Sequence, residues 1–256
     1  MWKVCNKRNQ LESFSIISIT ILIFAAALLY SSVGQAGASG YLAVMAIFGV
    51  APEVMKPTAL ALNILVATIT TIKFNRAGSF SWKILLPFVL GSIPFAFIGG
   101  SLALPGHLYK PVVGIILIYS AYRLLLANHL NDTSTIKPLP FWTGVVSGVA
   151  IGFLSGLTGV GGGIFISPLL LFMDWAHTRE TAGISAAFIL MNSIAGLLGN
   201  LASVSQLPNV IICWAPAAVI GGFIGAEYGS KQLGSLALKR LLAIVLIIAG
   251  LKMMFT

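Results

Sequence analysis

The chain has 256 residues, 58% of them hydrophobic and only 8% charged, with a mean hydropathy of +0.99. No water-soluble domain hides that much apolar side chain behind so little charge, so the soluble classes are excluded. The net charge of +9 is divided among short clusters such as Lys73–Arg76 and Lys239–Arg240, between apolar runs, as in loops flanking membrane spans rather than on a nucleic-acid-binding face.

In chain order, Lys3, Lys7 and Arg8 precede the first apolar stretch, and small residues follow at Gln35–Ala38. This has the outline of a signal peptide, but the stretch is expected to stay, because it has a counterpart later in the chain. Apolar segments follow at about 14–31, 39–50, 57–73, 82–104 and 109–127. Residues 128–139, "NHLNDTSTIKPL", form a polar linker rich in turn formers. Five more segments lie at about 140–157, 161–174, 180–203, 209–229 and 238–255. Most are long enough to cross a ~30 Å hydrocarbon core and are continuous rather than alternating. The expected fold is all-α: a polytopic membrane protein of about ten hydrophobic segments. Cys5 and Cys213 sit far apart in unlike settings and support neither a disulfide nor a metal site, and no cofactor is expected.

The sequence matches itself. A shift of 123 lays Ala38-Ser-Gly40 on Gly161-Gly-Gly163, Ser32 on Ser155 and Thr58-Ala59 on Thr181-Ala182. A shift of 129 then lays Pro87 on Pro216, Gly100-Ser101 on Gly229-Ser230 and Lys110 on Lys239. Residues 1–127 therefore read as a first membrane repeat and 140–256 as a second. Five segments per half is odd, so the second copy enters from the opposite side. If the short second segment of each half forms a re-entrant hairpin with the first, three crossings remain and the inversion survives. Inverted repeats are a recurrent transporter plan, with substrate held at the repeat interface by interrupted helices.

Both halves are interrupted at the same place: "SSVGQAGASGYLA" at 31–43 and "SGLTGVGGGIFISPLLL" at 155–171. An unwound glycine stretch exposes backbone N–H groups, which, with the positive end of the helix that follows, suit an anion. Gln35, Ser39 and Thr158 add candidate side-chain donors around Gly40, Gly161, Gly162 and Gly163. The segment after each break carries further polar residues. Thr181, Ser185 and Asn192 fall on one helix face, and Asn63 shares a face with Thr70 in the first copy. The competing explanation is close helix packing through small residues. The paired positions of the breaks favour a site.

"GASG" at 37–40 has the form of an intramembrane serine protease motif, but His107, His129 and His177 lie in loops or at span ends and offer Ser39 no base. No Gly-Lys-Ser/Thr follows "GVGGG", so it is no phosphate loop. Ionisable residues are nearly absent from the spans: Glu53, Asp174 and Glu180 are expected in short connections and Glu227 at the end of the ninth segment.

The two breaks, "GVGGGIFISPLLL", "RETAGISAAF" at 179–188 and "FNRAGSFSW" at 74–82 resemble the TauE/SafE family, also called the sulfite exporter or TSUP permease family. The resemblance covers about residues 15–255 and is most specific over Gly159–Leu170. It implies export of sulfite, sulfoacetate and related sulfur-containing anions across the bacterial inner membrane. In the first copy "GQAGASG" departs from the family's GxGGG and Met45 stands opposite Pro168, which bears on the substrate. The alternatives are a non-transporting scaffold, or a permease for another small solute or a metal ion; the latter would want carboxylate, thiolate or imidazole ligands in the spans. The expected partners are a small anion and the lipid bilayer, not nucleic acid. Counting Lys and Arg on the two sides of ten crossings gives six on the termini side against nine, which places both termini outside the cytoplasm.

Overall fold

The computed structural model describes residues 2–102, 104–126, 136–201 and 210–231, with Ile244, Leu246, Ile247, Gly250, Leu251, Met254 and Phe255 beyond them. The regular elements among these residues are all helical. They are α1 (Trp2–Ser31), α2 (Ala38–Ile47), α3 (Pro52–Arg76), α4 (Trp82–Ser101), α5 (Gly106–Leu126), α6 (Phe141–Thr158), α7 (Gly163–Phe172), α8 (Thr178–Gly199) and α9 (Ile211–Lys231). Among them α3, α4, α6, α8 and α9 are long and apolar enough to cross a membrane. Most of the linker, and most of the expected tenth segment, lie outside the described residues.

Several elements start earlier than the apolar runs suggest. Helix α1 begins about twelve residues before its apolar stretch, because residues 2–13 contain no glycine or proline to stop it. Helix α3 starts at Pro52 rather than 57, with Pro52 in the first turn, where a missing N–H costs nothing. Glu53 and Glu180 therefore belong to the first turns of α3 and α8, not to connections, and a carboxylate there suits the helix dipole. Helices α2 and α7 have ten residues each, a rise of about 15 Å. That is half of what a crossing requires.

Two glycine seams hold the bundle. On α6, Gly144, Gly148, Gly152 and Gly156 recur every fourth residue and meet Pro87, Phe88, Ser92 and Ala96 of α4 in the same order, so the two helices run parallel. A Cβ on the last three of these glycines would run into α4 backbone. On α9, Gly221, Gly225 and Gly229 meet Phe24 and Leu28 of α1 and Ser32 just past its end in the same way. Small residues let backbones approach where lipid provides no hydrophobic drive for helices to associate.

Several helix pairs recur in matching form along the chain. Replacing each helix by the one five places away turns α4–α6 into α9–α1, α4–α8 into α9–α3 and α2–α3 into α7–α8, all of which are packed pairs. The α3–α8 pair maps onto itself and joins the two most buried of the five candidate spans. At one end of α3, Lys73 pairs with Glu227 of α9, which also binds Lys231 at 2.6 Å, and the Lys73 ammonium lies 4.1 Å from the centre of the Phe223 ring.

Candidate functional site

The break between α6 and α7 is built from left-handed backbone. Gly159, Gly161 and Gly162 have φ of +80°, +83° and +84°, a region where a side chain is strained. Glycine here thus serves conformation, whereas in the seams it serves approach. The winding ends at Thr158 and resumes at Gly163; the Gly159 N–H still closes α6 on the Ser155 carbonyl at 2.9 Å, and the N–H groups after it lie beyond that helix. Among the described residues, none of the N–H groups of Val160, Gly161, Gly162, Gly163 and Ile164 finds an acceptor. Gly162, the N-cap of α7, has no side chain to close the helix end.

The first break does the same with a different sequence. Gly34 and Gly37 take φ of +78° and +113°, and Gly37 is the N-cap of α2, again with no capping side chain. The N–H groups of Ala36, Gly37, Ala38, Ser39 and Gly40 have no acceptor among the described residues. The helix that follows starts at Ala38, which brings Ser39 and Gly40 into its first turn. A buried helix end without partners is anomalous unless something else satisfies it. Here there are two, and Ala36, Ala38, Val160 and Ile164 from their surroundings share one buried cluster.

The two breaks approach each other across α3 and α8. Gln35, half-buried in the first break, comes near Gly163 of the second, 3.8 Å from where a Cβ would lie. Asn63 of α3, fully buried, lies against Gly161 and donates through Nδ2 to Ser193 Oγ of α8 at 3.4 Å. Its Oδ1 has no partner, nor do Asn192 Oδ1, Thr181 Oγ1 or Ser155 Oγ, all buried. Ser185 shares a 2.7 Å hydrogen bond with Ser167, whose hydroxyl also lies 2.9 Å from the Gly163 carbonyl. Burying polar atoms without partners costs about 1–3 kcal/mol each, and two of these residues, Asn63 and Ser155, lie against Gly161 and Gly162 of the second break.

The remaining candidates make contacts of other kinds. Gly40 packs against Ala26 and Tyr30 of α1, and Ser39 is buried in the first turn of α2. The Thr158 hydroxyl donates to the Leu154 carbonyl of its own helix at 2.7 Å, and the Thr158 carbonyl accepts from Tyr109 at 3.1 Å. Asn192 Nδ2 likewise donates within its helix, to the Phe188 carbonyl at 2.8 Å.

The apolar segmentation puts Lys56 in a loop. It is instead the buried cation of the described residues, 7% exposed. Its ammonium donates to the carbonyls of Gly99 at 3.2 Å, Gly100 at 2.8 Å and Leu102 at 3.1 Å, closing the C-terminal end of α4. Its side chain lies against Gly159 at the entrance to the second break. A signal for it exists in the chain: Lys56 opens "KPTA", which aligns with "RETA" at 179–182. Ser155 carries the same kind of signal, since the shift of 123 lays Ser32 on it, whereas Ser193 and Ser167 are single serines in apolar helices with no pattern to mark them.

An all-helical bundle of apolar spans, joined by glycine seams around two half-length helices with uncapped ends, defines a multi-pass membrane protein of the transporter class. The chain belongs to the sulfite exporter TauE/SafE family, whose model matches residues 19–253. It is 42% identical over 242 residues to a probable membrane transporter protein of Sinorhizobium fredii, covering 93% of this chain and 98% of that one. A probable membrane transporter protein of Methanocaldococcus jannaschii is 30% identical over 181 residues, 68% of this chain and 66% of that one. One from Bacillus subtilis is 24% identical over 225 residues, 80% and 82% of the two chains. No solved structure matches the chain.

Proposed function

We propose that this transporter carries small sulfur-containing anions, such as sulfite, sulfoacetate or other organosulfonates, outward across the bacterial inner membrane. The observation that carries the reading is the pair of buried, uncapped helix N-termini, each with five N–H groups free of partners among the described residues. Backbone dipoles of this kind stabilise negative charge. Lys56 is the buried charged residue among the described residues, so no acidic group there repels an anion. The α3–α8 pair, which maps onto itself, supports an inverted duplication of 1–127 and 140–256 with the substrate shared between the breaks.

The reading is transport and not proteolysis. Ser39 is buried, whereas His107 and His177 are exposed at the start of α5 and the N-cap of α8. The seam glycines and the break glycines are separate sets, so a scaffold would leave the second set unexplained. Flux in proteoliposomes, assayed with a panel of sulfur oxyanions, organosulfonates and divalent cations, tests the substrate class. Movement of the cations with none of the anions would overturn it.

Asn63→Ala and Ser185→Ala are expected to raise the KM for the transported anion about three- to tenfold, the loss of one hydrogen bond each. Concentration-dependent flux measures this; an unchanged KM for both would remove α3 and α8 from the site.

With Lys56 buried, the termini-side count falls from six to five against nine on the other side, which supports the reading that both termini face the periplasm. A reporter that fluoresces only in the cytoplasm, fused after Thr256, is expected to stay dark.

A further inference from the structure

Lys56 and Arg179 stand at equivalent places in the two halves. The shift of 123 that lays Thr58-Ala59 on Thr181-Ala182 also lays Lys56 on Arg179, and the shift of 129 lays Leu102 on Lys231. The structure joins these positions twice. Lys56 Nζ donates to the Leu102 carbonyl at 3.1 Å, and Arg179 Nη2 donates to the Lys231 carbonyl at 2.9 Å. In each half, a basic residue near the start of one long helix grips the C-terminal end of the next. Unpaired carbonyls and the helix dipole favour a cation there.

The two grips differ in depth. Lys56 is buried, holds the Gly99 and Gly100 carbonyls as well, and leans on Gly159 of the second break. Arg179 is exposed, and the neighbouring Lys231 ammonium is itself a cation, paired with Glu227. A charged hydrogen bond is stronger in a packed, low-dielectric setting than at a wet surface. The molecule is therefore tightly fastened where α3 meets α4 and loosely fastened where α8 meets α9. That is an asymmetry between two otherwise equivalent fastenings.

We propose that Lys56 and Arg179 are paired latches that exchange roles. In the conformation described above Lys56 shuts one mouth of the site; in the alternate conformation Arg179 is buried at the end of α9 and Lys56 is released, so the breaks face each side in turn. Two halves with equivalent packed pairs allow two packings close in free energy, which a latch worth one charged hydrogen bond can bias. This rests on the duplication and on the transport reading, but not on which anion is carried.

The test is side-specific labelling by a membrane-impermeant maleimide, in vesicles of each orientation. It uses the full chain with Cys5 and Cys213 changed to serine and Gln35→Cys as the reporter in the break. Labelling is expected mainly from the Arg179 side. Lys56→Met should raise labelling from the opposite side about tenfold, Lys56→Arg should restore the original pattern, and Arg179→Met should leave it unchanged. If Lys56→Met fails to accumulate, Lys56→Gln, which removes the charge but keeps an N–H donor for the α4 carbonyls, should shift labelling in the same direction about threefold. Labelling whose sidedness moves in neither variant overturns the latches. A flux panel in which no sulfur anion moves overturns the proposed substrate and leaves the labelling result standing.

Discussion

Gly162→Leu is expected to reduce anion flux to background while the protein still reaches the membrane. Gly162 has φ of +84°, and leucine there is strained by about 1–2 kcal/mol. Its Cβ would lie 2.8 Å from the Phe188 ring and 3.1 Å from Ile151 Cγ2, side-chain atoms that can give way, not backbone. The expected fall in thermal stability is therefore a few degrees, within the roughly 5–15 kcal/mol that holds a domain together. The effect on transport is larger, because the added side chain stands over N–H groups that no protein acceptor among the described residues uses. Flux per folded molecule is the deciding measurement. A wild-type value would return Gly162 to a packing role.

Gly156→Leu should do the opposite: the protein fails to accumulate, and no folded fraction remains to assay. Here the backbone is ordinary helix, but the Cβ position already overlaps the Ala96 carbonyl oxygen and sits 2.8 Å from the Gly100 backbone nitrogen. Neither neighbour can rotate away. The α4–α6 pair would have to separate, opening the seam that also includes Gly148 and Gly152. Size-exclusion profiles of detergent-extracted protein distinguish the two variants. A monodisperse Gly156→Leu protein would show that the seam tolerates separation. The pair of substitutions also tests whether the two sets of glycine have separate tasks.

Much of the candidate site is legible in the order of residues. The breaks announce themselves because glycine is a poor helix former and their positions repeat between the halves. Asn63 and Asn192 stand out because a carboxamide in apolar sequence requires partners. Less legible is which hydroxyls remain available. Thr158 and Ser185 look alike in sequence, yet one is spent on its own helix and the other faces Ser167. That difference comes from neighbours on other helices and from rotamers, neither of which periodicity encodes.

The membrane environment, the helical class, the two breaks and the resemblance between halves are all written along the chain. They follow from composition and local backbone preference, which are properties of short stretches. What each glycine is for emerges only on packing, since a glycine in a seam and one in a break differ by φ and by what lies opposite, not by their letters. The place of Lys56 emerges in the same way. A lysine beside a proline at the edge of an apolar run reads as a loop, because its cost of burial is the only term visible along the chain. The offsetting term, three carbonyls at the end of α4, comes from residues more than forty positions away and exists only once the helices are packed.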